Sequence, residues 1–388
     1  MRDWEDTSDR MKAKRIIIVA NTTWNIYNFR LNIIRKLISE GHEVIVMAPV
    51  DKFIFYTETL PQVQHIPIRH LYRDSVNPFQ DIRLFFEFVN LYKHYKPDLV
   101  LHYTVKPNIF GGFAARLLGI PSVAVVTGLG YSLIHEGWIN RITRLLYKFS
   151  LPYHRKVIFE NSDDKKLFED EGLISSSKSM SIKGCGVDTK AFSPNGDGRK
   201  EGLITFTFIG RLLYDKGVKE FIEASQLIQS NDHIRFWLVG EIDKENPSSI
   251  SNEDLMKWIR NPKIQYHGAT ENIRKFIEQS DCIILPSYRE GMPRVIMEAM
   301  SMERPVITTN TAGCRETVDE NINGYLVPVK NSAALADAMN KFIHLNNTDR
   351  LEMGKAGRVK VLNEFDDRLI ADHLYNALME SLNIPVRH

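Results

Sequence analysis

Short runs of apolar, β-branched residues alternate along this chain with segments whose apolar residues recur every three or four positions. Arg15-Ile-Ile-Ile-Val-Ala20 reads as a buried parallel strand, because such strands are covered on both faces. A helical segment follows from about Asn28 to Ser39, Gly41 ends it, and Glu43–Ala48 is the next strand. Strand-like runs return at Asp98–His102, Pro121–Val126 and Lys156–Phe159, with helical spacing at Ile109–Leu118 and Trp138–Phe149. This alternation predicts a doubly wound α/β domain. Gly184–Gly198 is rich in glycine and proline and reads as a linker. The pattern then restarts, with strands expected at Ile204–Ile209, Ile234–Val239, Lys263–His267, Asp281–Leu285 and Pro305–Thr309. The last segment, Phe365–Leu382, has helical spacing and fits packing on the second domain or back across the first.

A length of 388 residues suits two domains. The expected division is a loose leader at 1–13, a first domain at 14–190, a second at 191–364, and a helical tail at 365–388 directed back toward the first domain. With 43% hydrophobic and 25% charged residues, the chain should build globular cores. A net charge of +2 gives no footprint for nucleic acid. Cys185, Cys282 and Cys314 have no pair spacing and read as reduced thiols, neither a disulfide frame nor a metal site. No apolar run is long enough to span a bilayer, and Met1–Lys14 carries no secretory core. A cytoplasmic location is the expectation.

Candidate chemistry concentrates after Cys282-Ile-Ile-Leu-Pro286. The turn Glu290-Gly291-Met292 precedes a helix expected to start at Pro293, where a missing N–H costs nothing. Glu298 stands eight residues after Glu290, roughly 12 Å of helical rise. Free N–H groups and the positive helix end between them make an anion site. A nucleotide diphosphate sugar has the matching shape, with hydroxyls at each end and pyrophosphate in the middle. A second loop, Gly210-Arg211-Leu-Leu-Tyr-Asp-Lys216-Gly217, follows a strand and brings a planar fork and a movable point charge suited to a diphosphate. Alone, Arg211 and Lys216 fit ordinary solvated loop charges, and Glu298 fits a helix-face pair with Arg294. Taken together in this order, they favour a site. No complete phosphate loop, Gly-x-Gly-x-x-Gly, His-Glu-x-x-His or Cys-x-x-Cys motif is present, and Gly128-Leu-Gly130 stops short. No convincing Asp-x-Asp follows a strand, so no metal is expected.

The Gly-Arg…Lys-Gly loop, the Glu-x7-Glu segment around Gly-Met-Pro, and the turn Thr311-Ala-Gly-Cys-Arg-Glu316 resemble the family-4 retaining glycosyltransferases. The resemblance runs from about Lys14 to Leu382. It implies a GT-B fold: two Rossmann-like doubly wound domains facing across a cleft. Ile26–Arg30, His102–Asn108 and Val126–Gly130 resemble bacterial members that extend lipid-linked oligosaccharides of capsule, O-antigen or protein glycans. Carried over by position, Arg211 and Lys216 would grip the donor diphosphate. Glu290 would meet sugar hydroxyls and Glu298 ribose hydroxyls. Gly210, Gly291, Met292 and Pro293 would line the donor, with Pro293 offering no N–H, and Gly268 would lie near the base. Glu290, Lys216 and Arg211 form the implied catalytic set.

On the acceptor side the same resemblance points to Asn21, Arg30, Lys106, Asn108, Thr127 and Gly128. Thr127 stands where many relatives have His, and Asn21-Thr-Thr-Trp-Asn lacks the glycines many relatives carry. The implied reaction moves an N-acetylhexosamine or hexose from a UDP-sugar to a lipid-diphosphate-linked saccharide, with retention and no cofactor beyond the donor. The expected place is the cytoplasmic face of the inner membrane. Trp138–Lys156 bears on this, because its basic amphipathic pattern fits either a helix lying on anionic lipid or one packed on the sheet. Two other readings fit the same motifs: a UDP-N-acetylglucosamine 2-epimerase-like enzyme, and a non-catalytic nucleotide-sugar-binding subunit.

Overall fold

The computed structural model describes residues 12–72, 77–129, 133, 137–196, 199, 202–229, 233–244 and 246–383. The leader up to Met11, Gly130 of the glycine-rich turn, and Asp197 and Gly198 of the linker lie outside the described residues.

Two all-parallel sheets form. The first comprises β1 (Arg15–Val19), β2 (Glu43–Ala48), β3 (Gln64–Pro67), β4 (Leu99–Tyr103), β5 (Ser122–Val126), β6 (Lys156–Phe159) and β7 (Ser179–Ser181), in the order β3-β2-β1-β4-β5-β6-β7. The second comprises β8 (Ile204–Ile209), β9 (Ile234–Val239), β10 (Ile264–Gly268), β11 (Cys282–Leu285), β12 (Val306–Thr309) and β13 (Gly324–Val327), in the order β10-β9-β8-β11-β12-β13. In each sheet the strand order reverses beside the first strand, which opens a crevice at the carboxyl ends where ligands bind in such sheets. The strands unread in the sequence, β3, β7 and β13, are all sheet edges. Gln-His-Ile-Pro and Ser-Met-Ser need no apolar run, because an edge strand is not covered on every side.

Three helix expectations need correction. The single helix from about Asn28 is two, Thr23–Phe29 and Leu31–Ser39, broken where Arg30 turns inward and is buried. The segment expected as one helix from Ile109 opens as a wide π turn, Pro107–Gly111, before the α-helix Gly112–Leu117. Beyond β11 the helix is Arg294–Ser301, with Pro293 as its extended N-cap and not its first residue.

The faces of the first sheet are covered by different parts of the chain. On one face, Ile17, Val19 and Val100 pack under Leu84, Phe88 and Tyr92 of the helix Pro78–Tyr95, and Ala124 and Phe159 pack under Tyr147 and Phe168. The other face carries Ile16, Ile18, Val44 and Leu101 together with Ile370, Leu374 and Leu378. The last helix, Asp367–Ser381, therefore shares its core with the first sheet. Its chain returns beside the outgoing linker, with Val187 N–H donating to Phe365 O at 2.9 Å and Asp367 N–H to Val187 O at 3.0 Å.

Leu378 is fully buried in that shared core. Leu378→Ala should cost the first domain about 2–5 kcal/mol, despite its position near the chain end. Hydrogen exchange read strand by strand should show faster exchange in β1, β2 and β4, with β8–β13 unchanged.

Candidate functional site

The second domain builds its half of the site on glycines that admit close backbone contact. Gly217 has φ +73, and a Cβ there would fall 2.0 Å from the Pro286 carbonyl oxygen. This contact places the loop from Gly210 to Lys216 beside the segment after β11. Tyr288 N–H donates to Asp215 O at 2.8 Å, and the Ser287 hydroxyl donates to the same oxygen at 3.1 Å. The result is an ion pair between Lys216 Nζ and Glu290 Oε1 at 2.5 Å, from residues 74 positions apart. Arg211 turns elsewhere and pairs with Asp243 at 2.6 Å. Gly210 lies under Gly240, where a Cβ would fall 1.8 Å from the Gly210 oxygen. Gly268 ends β10 with φ +68 and open space around it.

Glu290 is held from below. Its N–H donates to Ala312 O at 3.2 Å, and Gly313, φ +74, packs where any Cβ would lie 2.4 Å from Gly291 O. Thus the turn Thr311–Glu316 is the floor under the Glu290-Gly291 peptide. Met292 is buried against Gly184 of the linker. Glu298 sits one turn into the helix and is nearly inaccessible. It forms an ion pair with Arg294 at 2.8 Å, which is the helix-face pairing the sequence allowed. Burial raises the Glu298 carboxyl above its ordinary range, and Arg294 offsets this only in part.

The first domain meets this loop backbone to backbone. A Cβ on Gly128 would lie 3.1 Å from Gly291 Cα, and one on Gly291 would lie 2.5 Å from Thr127 O. Behind them, Glu160 follows β6 and pairs with the buried Arg30 at 3.2 Å. The Arg30 guanidinium also lies 4.0 Å from the centre of the Tyr103 ring. Burial raises Glu160 as well, with Arg30 opposing.

The other acceptor-side residues are more occupied with the fold than the sequence suggests. Lys106 pairs with Asp81 at 2.7 Å. Asn108 is fully buried, donates to Val125 O at 3.0 Å, and offers its own carbonyl to Ser150 at 2.8 Å and His154 at 2.9 Å. Burial pushes His154 down to about 4, so a neutral ring donates to that carbonyl and accepts from Ser122. Asn21 follows β1 and is half-buried, with no partner at its side-chain oxygen among the described residues.

No sequence signal singles out Thr104, which follows β4 with φ +73, strained for a β-branched residue. Glu160 and Asn161 were missed as well, although the pattern Asn161-Ser-Asp-Asp after a strand is a helix-start signature at a sheet's ligand-binding edge.

Comparison with known proteins bears on both halves. Residues 29–190 match the family model "Glycosyltransferase Family 4", and residues 204–344 match "Glycosyl transferases group 1". The N,N'-diacetylbacillosaminyl-diphospho-undecaprenol alpha-1,3-N-acetylgalactosaminyltransferase of Campylobacter jejuni is 29% identical, over 95% of this chain and 100% of that protein. An Escherichia coli UDP-Gal:alpha-D-GlcNAc-diphosphoundecaprenol alpha-1,3-galactosyltransferase is 27% identical, over 75% and 78%. A Rickettsia africae glycosyltransferase structure superposes with TM-score 0.79 at 20% identity, covering 96% of this chain and 99% of that one. Anabaena HepE in complex with UDP superposes with TM-score 0.76 at 17% identity, covering 95% and 100%. Those structural likenesses, with the two parallel sheets, show the GT-B fold. The family models fall on the two sheets whose carboxyl ends meet at Gly128 and Gly291, and the chain belongs to the group 1 and family 4 glycosyltransferases.

Proposed function

We propose that this glycosyltransferase moves an N-acetylhexosamine or hexose from a UDP-sugar to a saccharide carried on a lipid diphosphate, in the synthesis of a cell-surface polysaccharide or glycan. The observation that carries this is the Lys216–Glu290 pair at the mouth of the helix Arg294–Ser301, facing Thr127-Gly128 of the other domain. Two relatives named for undecaprenyl-diphosphate acceptors, one of them aligned along nearly the whole chain, support the acceptor class.

The charges satisfy one another, Lys216 with Glu290 and Arg211 with Asp243. An incoming diphosphate draws Lys216 away from Glu290 and Arg211 away from Asp243. Glu290 is then free to accept from sugar hydroxyls, and Glu298 from the ribose. The free N–H groups at the helix mouth face the charge that grows on the leaving group. The C1–oxygen bond to the diphosphate breaks, and the bond to the acceptor oxygen forms on the same face. The acceptor's proton passes to the departing phosphate oxygen. Arg211 and Lys216 supply the positive charge, so no metal or further cofactor is required.

The membrane is the second partner. Among the described residues, no helix is long and apolar enough to cross a bilayer. The helix Trp138–Ser150 has three faces. Thr143, Tyr147 and Ser150 are buried; Trp138, Ile142, Leu145 and Phe149 are exposed; and Arg141, Arg144 and Lys148 flank them. The helix Pro78–Tyr95 covers the same side of the sheet and exposes Phe79, Ile82 and Phe86. An apolar stripe edged with cations suits an anionic lipid surface and supports a peripheral position on the cytoplasmic face of the inner membrane.

A donor screen by released nucleotide, with a lipid-diphosphate saccharide as acceptor, tests the reaction. UDP release should depend on both substrates, and Glu290→Gln or Lys216→Ala should lower kcat by roughly 10²–10³. Epimerisation of UDP-N-acetylglucosamine without acceptor, or UDP binding with no turnover, overturns the proposal.

Calorimetry should find UDP affinity falling as pH drops toward the carboxylate range, and beginning to fall at a higher pH than an ordinary carboxylate would give. The raised Glu298 carboxyl protonates earlier than an ordinary one and stops accepting from ribose. Glu298→Gln should bind weakly, with a pH profile shallower than that of wild type and set by the terminal phosphate of UDP, whose second pKa is about 6. The stability linkage of the free enzyme runs the other way: a raised carboxyl adds stability at low pH that is lost as pH rises through its folded value.

In flotation assays the wild type should rise with vesicles rich in anionic lipid. Ile142→Ser with Phe149→Ser should stay at the bottom while keeping UDP affinity. Equal flotation of both proteins would sink the membrane proposal.

A further inference from the structure

The first domain does more than face the donor loop; it grips it. Asn161 follows β6 and caps the helix Ser162–Asp170, its side-chain oxygen accepting from Asp164 N–H at 2.7 Å. The side-chain nitrogen, fully buried, crosses to the second domain and donates to Gly291 O at 2.8 Å, with Glu290 O at 3.5 Å. Three further contacts surround this one. Asp164, inaccessible to solvent, pairs with Arg289. Ser162 donates from both its N–H and its hydroxyl to Glu316 Oε1, each at 2.8 Å. Arg315 lies 3.6 Å from Asp163. All their partners in the second domain fall within 289–291 and 315–316, the loop that carries Glu290 and the turn beneath it.

We infer that Asn161 is a positioning residue for sugar transfer, one that ties closure of the two domains to the orientation of the Glu290-Gly291-Met292 backbone. The inference deepens the proposed function and rests on it. Peptide units are planar and trans, so a carbonyl and the N–H of the next residue point in opposite directions. With Glu290 O and Gly291 O turned toward Asn161 and packed over Gly313, the N–H groups of Gly291 and Met292 face away from that clamp. Those are the backbone donors next to Glu290. No group of the second domain donates a side-chain hydrogen bond to these two carbonyls among the described contacts. Opening the cleft therefore removes the clamp while leaving Lys216, Arg211 and Glu298 on their own domain.

The test is Asn161→Ser. Serine keeps a good helix cap, because its hydroxyl also accepts from the third residue's N–H, but it is too short to cross the cleft. The expected result is a kcat lowered by roughly 10- to 100-fold, as for misplacement of a positioned group by about 1 Å. UDP affinity should stay within about threefold, and kcat is read per folded molecule because the variant also withdraws a buried donor from Gly291 O and Asp164 Oδ2. A residue that only stabilised the fold would lower the unfolding temperature and leave kcat per folded molecule alone. Wild-type kcat in the variant, or UDP affinity lost in proportion to kcat, overturns the inference. Small-angle scattering separates it from the broader proposal: the variant should be more extended than wild type, and identical profiles overturn the clamp. If wild type binds UDP but transfers nothing, the proposed function fails, and scattering alone decides the clamp.

Discussion

The close contact of Gly217 with the carbonyl of Pro286 is the constraint on which the proposed donor side depends. No side chain fits between them, and φ +73 excludes most residues on its own account. Because the two strand ends touch there, Lys216 reaches Glu290 and Asp215 anchors Ser287 and Tyr288. Gly313 beneath Gly291, and Gly291 against Thr127, extend the same device across the cleft. Backbone meets backbone at three successive layers, which leaves the glutamate between them little freedom to wander.

Every expected charge of the proposed site is paired. Lys216 holds Glu290, Arg211 holds Asp243, Arg294 holds Glu298, Arg30 holds Glu160, and Lys106 holds Asp81. Leaving an enclosed charge such as Glu298, Arg30 or Glu160 unpaired would be costly, and its partner offsets that cost. Donor affinity is then a difference between contacts made to the nucleotide sugar and pairs given up. The pairs differ in how readily they yield. Arg211 is more than a third exposed and can move cheaply, whereas Arg30 and Glu160 are enclosed and should remain together.

Much of the fold was legible because buried parallel strands are written as continuous apolar runs. β2, β6, β8 and β9 fall on the expected residues, and the others that were read shift by about one position. The edge strands β3 and β7 were not legible, since partial cover leaves them no apolar run, whereas β13, Gly324-Tyr-Leu-Val327, is a buried apolar stretch too short to mark a strand by itself. The break at Arg30 was hidden for a different reason: a buried arginine obeys its partner, and Glu160 lies 130 residues away. The same limit applied to the site. Local spacing marked Glu290, Glu298, Arg211 and Lys216 as suitable types, but which cation met which carboxylate was set by tertiary distance. Asn161 went unread because its cap bonds to Asp164 are local, and only the crossing of the cleft gives its amide nitrogen the further partner Gly291 O.

The central claim is that the Lys216–Glu290 pair is the resting form of a donor site. A crystal structure with a UDP-sugar tests it most directly. The account predicts Lys216 Nζ on the diphosphate, Glu290 within hydrogen-bond distance of a sugar hydroxyl, and Glu298 on the ribose. A nucleotide bound elsewhere, or bound with the Lys216–Glu290 pair still closed, would contradict it.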